Sequence, residues 1–157
     1  MDVTMEAPKE IRIQTARFGE VTFTASDLLE FPWGLPGFSQ LRRYLALTLA
    51  DQPNFVWLQS VDDPRMALPC SDPWQIFPDY DPKLPAYATI ALELNEPDDF
   101  TLLCVVVVST DARERTMNLL APLLVNLKTR KGRQVMLDNS GYSIREPIPS
   151  GVAAAAS

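Results

Sequence analysis

Apolar residues along the chain recur mainly at every second position, in short runs that end at proline, glycine or Asp/Asn-rich turns. A period of two places alternate side chains on opposite faces, which is the pattern of strands joined by tight turns. Ile11 and Ile13 alternate with Arg12 and Gln14, Val21 and Phe23 alternate with Thr22 and Thr24, and Gly19 lies between, which predicts a hairpin. Leu45 and residues 47–49, followed by 55–61, predict a second antiparallel pair that turns at Asp51-Gln52-Pro53-Asn54. Residues 66–70 add a short strand. The unbroken, largely β-branched run at 102–109 predicts a strand buried on both faces. Residues 117–127 are apolar throughout but contain Pro122, which has no backbone N–H to give, so a strand broken or bulged at the proline is predicted. Residues 134–137 form the last predicted strand.

Ten of the 14 prolines fall between Pro32 and Pro97, which excludes long helices there. One short helix is predicted at 85–94, where Tyr87, Ile90, Ala91 and Leu94 fall on one helical face and Pro85 stands at its start. These elements predict a mainly β fold: a small antiparallel barrel of eight or so short strands, closed or nearly closed, with a short capping helix. The expected organisation is one domain over 1–147 and a flexible tail over 148–157, where Ala153 to Ala156 offer no periodic apolar face.

Composition narrows the function. The 157 residues suffice for one core without disulfides or metal. There is no histidine, which removes Ser-His and Cys-His relays and histidine-ligated zinc, and the chain is read as not an enzyme, with no cofactor and no metal. Cys70 and Cys104 are too far apart for a CxxC pair and sit among apolar residues, as reduced core thiols do. The net charge of -6 disfavours a general nucleic-acid binder, since phosphate neutralisation supplies most non-specific affinity. No run approaches the roughly 20 apolar residues of a membrane span and no signal peptide is evident, so a cytoplasmic protein with no membrane association is expected.

Charge is unevenly distributed. From 51 to 111 there are eleven acidic residues against Arg65 and Lys83, whereas 112 onward is net basic. Asp62 and Asp63 invite an acid/base reading, but neighbours in a strand point apart and Asp63-Pro64 opens turns. A carboxylate metal site from Asp62, Asp63, Asp79 and Asp81 lacks the calcium-loop spacing. These four carboxylates, with Trp74, Phe77 and Tyr80 as apolar anchors, are the expected partner-binding residues. Lys128, Arg130, Lys131 and Arg133, around Gly132 in a hairpin turn of positive φ, form an alternative, RNA-binding surface.

Several strings together carry a resemblance: Phe18-Gly19-Glu20, then Phe31-Pro32-Trp33-Gly34-Leu35-Pro36-Gly37-Phe38, and Trp57-Leu58-Gln59-Ser60-Val61-Asp62-Asp63-Pro64. They continue with Asp72-Pro73-Trp74, Phe77-Pro78-Asp79-Tyr80, Asn118-Leu119-Leu120-Ala121-Pro122, Lys128 to Val135 and Tyr142-Ser143. In this order they resemble the flagellar assembly factor FliW family over about residues 11–147. The departures are a longer N-terminus, the alanine-rich tail and the proline-bounded stretch 85–97. The resemblance implies an adaptor that binds the RNA-binding translational repressor CsrA, relieves repression of flagellin mRNA and also binds flagellin. Partner exchange would then tie flagellin level to flagellin synthesis. No direct nucleic-acid contact is expected.

Overall fold

A computed structural model of the chain describes residues 9–35, 37–95 and 99–149. The opening hairpin pairs β1 (Ile11–Thr15) with β2 (Gly19–Phe23), Ile11 opposite Phe23 and Thr15 opposite Gly19. Gly19 has φ +67, the left-handed conformation that a tight turn asks of glycine, and Thr15 Oγ1 accepts from Phe18 N while donating to Gly19 O, both at 2.9 Å. This hairpin is a sheet of its own. It is fastened to the body by Ala16 N donating to Pro64 O and by Arg17 and Phe18 packing on the Trp57 ring.

The body is a closed seven-stranded barrel. Around it run β3 (Leu28–Glu30), β4 (Arg43–Leu49), β5 (Gln52–Ser60), β6 (Ala67–Ser71), β7 (Phe100–Val107), then β9 (Leu123–Asn126) and β10 (Lys131–Gln134), which returns to β3. A ring of odd strand number cannot alternate direction all the way round, and the one parallel joint is β10 with β3, where Lys131 faces Glu30. That joint is reinforced by Glu30 N donating to Arg130 O and by the Arg130 guanidinium donating to Leu28 O and Asp27 O. Closure leaves no long unpaired edge in the ring.

β8 (Thr116–Met117) and β9 both run along β7, and β11 (Glu146–Pro147) pairs with β8. Between the Val106–Met117 and Leu103–Leu123 pairings, β7 advances three residues while its partner advances six. The surplus, with Pro122 at its end, is the break expected from the proline. Asn118 Oδ1 caps it by accepting from Ala121 N at 3.0 Å.

Two cores explain the unbroken apolar run of β7. Leu103, with Leu58, Cys70, Leu123, Val125, Phe31 and Tyr44, fills the barrel. Leu102, Cys104 and Val106, with Leu124, face a second core outside it, covered by α1 (Pro73–Ile76), α2 (Ala86–Ala91) and the segment from Met117 to Ile148. Each large side chain so buried is worth about 1.5–3 kcal/mol.

Five expectations are corrected. The strand expected at 134–137 lies at Lys131–Gln134: Val135 and Leu137 are buried, but their N–H groups go to Pro122 O and Leu120 O in the irregular segment. Gly132 lies inside that strand, where a Cβ would come within 2.7 Å of the Phe31 ring, and the positive φ of the preceding turn belongs to Arg130. The β4–β5 turn is shorter than predicted, since β5 begins at Gln52. Ile148, expected in the tail, is buried in the outer core and donates from its N–H to Arg115 O at 2.9 Å. The tail beyond 149 lies outside the described residues. The helix at 85–94 is present as α2, but rotated from its predicted face: Ala88 and Leu92 are buried, while Tyr87 is 49% and Ile90 74% exposed. Alanine at 88 allows the helix to sit close to the barrel, and Tyr87 and Ile90 are turned outward.

Candidate functional site

Asp62 and Asp63 lie in the β5–β6 turn and hold it together. Asp62 Oδ2 accepts from Arg42 N and Arg43 N, both at 3.0 Å, and its Oδ1 takes a fork from Arg43 at 3.0 and 2.8 Å. Burial pushes this carboxyl upward, but the Arg43 fork and the two backbone donors outweigh it and hold it below the usual carboxylate range. Asp63 is fully committed to Arg65, whose side-chain and backbone N–H groups lower it. Ser60 Oγ accepts from Asp62 N and Asp63 N, and Gln59 Nε2 donates to three carbonyls around the turn. The string Gln59-Ser60-Val61-Asp62-Asp63-Pro64 is therefore a hydrogen-bonded loop scaffold. It offers neither an acid/base pair nor open carboxylates.

The other expected residues gather at the far end of β6. Five residues at ~3.3 Å each put about 16 Å between the two groups, so no single acidic surface joins them. Asp72 caps α1 by accepting from Trp74 N, and Trp74 Nε1 donates to Tyr80 O at 2.8 Å. Tyr80 is a staple: it is 5% exposed, its hydroxyl donates to Leu119 O at 2.7 Å, and burial pushes its ionisation well up. Phe77 packs against the outer core. Trp74 keeps an exposed edge, Asp79 is exposed with neither hydrogen bond nor ion pair among the described residues, and the Asp81 carboxylate meets the exposed Lys83 at 2.8 Å. Trp74, Asp79 and Asp81 are thus the expected site residues that a partner can reach.

The same accounting thins the whole acidic segment. Asp62, Asp63, Asp81, Asp99 and Asp111 are each matched by Arg43, Arg65, Lys83, Lys128 and Arg113. Asp51, Asp72, Asp79 and Glu93 have no ion pair among the described residues, Asp72 being spent on its cap, and Glu96 and Asp98 lie outside the described residues. The basic run is dispersed as well. Lys128 is held by Asp99, Arg130 by two carbonyls, and Arg133 lies between two aromatic rings, so three of the four cations are committed within the fold.

No cluster of three or more candidate metal ligands occurs among the described residues. Cys70 and Cys104 are both free and buried, and loss of solvation pushes the Cys104 thiol to about 12 and Cys70 further in the same direction. Among the described residues no helix is long and apolar enough to cross a membrane.

Sequence reasoning missed a surface on the outer wall. Trp33, in the tight loop after β3, and Tyr87, on the outward face of α2, flank Arg133 of β10, with the guanidinium carbon 4.6 and 5.0 Å from the two ring centres. The loop is forced by Gly34 at φ +68, packed so closely that a Cβ would lie 2.5 Å from the Ser39 backbone. A signal was present in the glycines on either side of Leu35, which plugs the barrel mouth and leaves Trp33 and Phe38 outside.

Residues 12–148 match the family model described as FliW protein. Among curated relatives, a flagellar assembly factor FliW of Pseudothermotoga lettingae is 35% identical over 87% of both chains. Another from Ruminiclostridium cellulolyticum is 37% identical over 87% of this chain and 93% of its own. A crystal structure of the flagellar assembly factor FliW superposes with a TM-score of 0.79 at 29% identity, covering 87% of this chain and 95% of that one.

Proposed function

From the premise that this chain belongs to the FliW family of flagellar assembly factors, we propose that it is a non-catalytic cytoplasmic adaptor. It binds the translational repressor CsrA, relieves repression of flagellin mRNA, and binds flagellin, so that flagellin level governs flagellin synthesis. The observation that carries the reading is the family match across residues 12–148, which takes in the barrel and both cores. The state of the reactive groups supports action by occupancy. The paired carboxylates are structural, the thiols are buried and protonated, and the tyrosine hydroxyl with the strongest shift is tied to a carbonyl.

A repressor that grips RNA presents basic surface, and the reachable groups suited to it are Asp79 and Asp81 beside Trp74. Docked there, an acidic protein would hasten association and repel incoming phosphate. Co-purification from cells with and without flagellin tests the exchange: recovery of the repressor chiefly when flagellin is absent is expected, and recovery of neither partner would overturn the proposal. In a gel shift on flagellin leader RNA, the protein alone is expected to give no complex.

A further inference from the structure

We infer that Arg133, gripped between Trp33 and Tyr87, anchors a docking track for a protein segment that carries one carboxylate among apolar side chains. Two aromatic faces fix the guanidinium in place without neutralising it. Unlike Arg43, Arg65 and Arg113, each forked onto an aspartate, the Arg133 side chain makes no hydrogen bond or ion pair among the described residues. Its Nε is shut away from solvent with no acceptor. A planar donor fork held in one orientation and lacking its acceptor is matched best by a carboxylate.

The ground is mainly apolar on one side of the fork and mixed on the other. On one side, the barrel mouth forms a depression of about 190 Å³ lined by Leu35, Phe38, Leu68, Val105 and Leu123. It continues through Leu35 and Gln134 into a second of about 280 Å³ that contains Trp33 and Arg133. On the other side of Arg133, Tyr87 enters a third of about 460 Å³ with Pro85, Met136 and Tyr142, and with Asp138 and the Asp81–Lys83 ion pair on its rim. Trp33 is 52% exposed, so its ring is available along this line. A nucleic acid strand would stack on the rings but bring phosphates against Asp138. A basic partner would meet Arg133. A segment with a single negative charge and apolar flanks meets neither penalty.

This track therefore suits a partner other than a basic repressor. Its assignment to flagellin rests on the proposed function; the site itself does not. The test uses the full chain, labelled with nitrogen-15, and the blocked peptide acetyl-Leu-Ser-Glu-Leu-Leu-amide, its glutamine counterpart and a uridine octanucleotide as probes. Trp33 supplies an indole N–H at the site, while Trp57 and Trp74, already bonded to Gln52 and to Tyr80 O, report on the intact fold. The glutamate peptide should shift the Trp33 indole and Arg133 Nε–H signals saturably, with a response at least about tenfold weaker from the glutamine peptide and from the Arg133→Lys variant. Equal responses to both peptides, no response at about 5 mM peptide, or a stronger response to the oligonucleotide would overturn the inference. Flagellin titrated against the unmodified chain and Arg133→Gln then tests the assignment. Equal binding removes flagellin from the track while leaving the adaptor reading intact, and no binding to either counts against the adaptor reading alone.

Discussion

At Asp62 one carboxylate closes a loop between residues that are 19 and 20 positions apart in the chain. Asp62→Asn should destabilise the fold by about 2 kcal/mol, since a charged acceptor with four donors is lost. The pH dependence has a definite sign. The folded carboxyl lies below its unfolded value of about 3.9, so its contribution is fully present above that value and is lost as pH falls through the folded pKa. Thermal melts of both proteins should accordingly differ most near neutrality and converge as pH falls through the folded pKa; a gap that persists in strong acid would contradict the clasp. The thiols give a second residue-scale test. Cys70 and Cys104 should resist Ellman's reagent in the folded protein and react once it is unfolded, and rapid native labelling would show that the outer core opens readily.

Among elements, the strands could be read because their alternation is local and each turn carries its own proline, glycine or aspartate. The break at Pro122 was readable for the same reason: a missing N–H acts wherever the residue sits. Gly132 was not, because its role is set by Phe31, a ring about a hundred positions earlier. Nor was the orientation of α2, where periodicity allowed two faces and the smallness of Ala88 decided between them. The candidate site failed in the same way. Asp62 looks like an open acid until Arg43 arrives from the neighbouring strand, and Arg133 looks like part of a basic run until Trp33 and Tyr87 flank it. Gly132→Ala should therefore cost about 1–3 kcal/mol in urea unfolding, through the clash with Phe31 and the Leu124 carbonyl. An unchanged midpoint would mean that β10 packs more loosely than described.

For the whole molecule, closure around seven strands and a second core outside β7 leave little surface for chemistry and much for contact. Five carboxylates of the acidic segment are matched by ion pairs, so its effect on a partner should come from a few open carboxylates rather than from the entire segment. Reversal of Asp79, which has no ion pair among the described residues, to lysine should weaken repressor binding and flatten its salt dependence, whereas reversal of Asp111, already matched by Arg113, should change both much less. Equal effects at the two places would mean that net charge, not position, governs the encounter. The adaptor account meets its most direct test in calorimetric titration of the purified chain into CsrA. A saturable complex that weakens as salt is raised is the predicted result, and no detectable complex at low salt would contradict it.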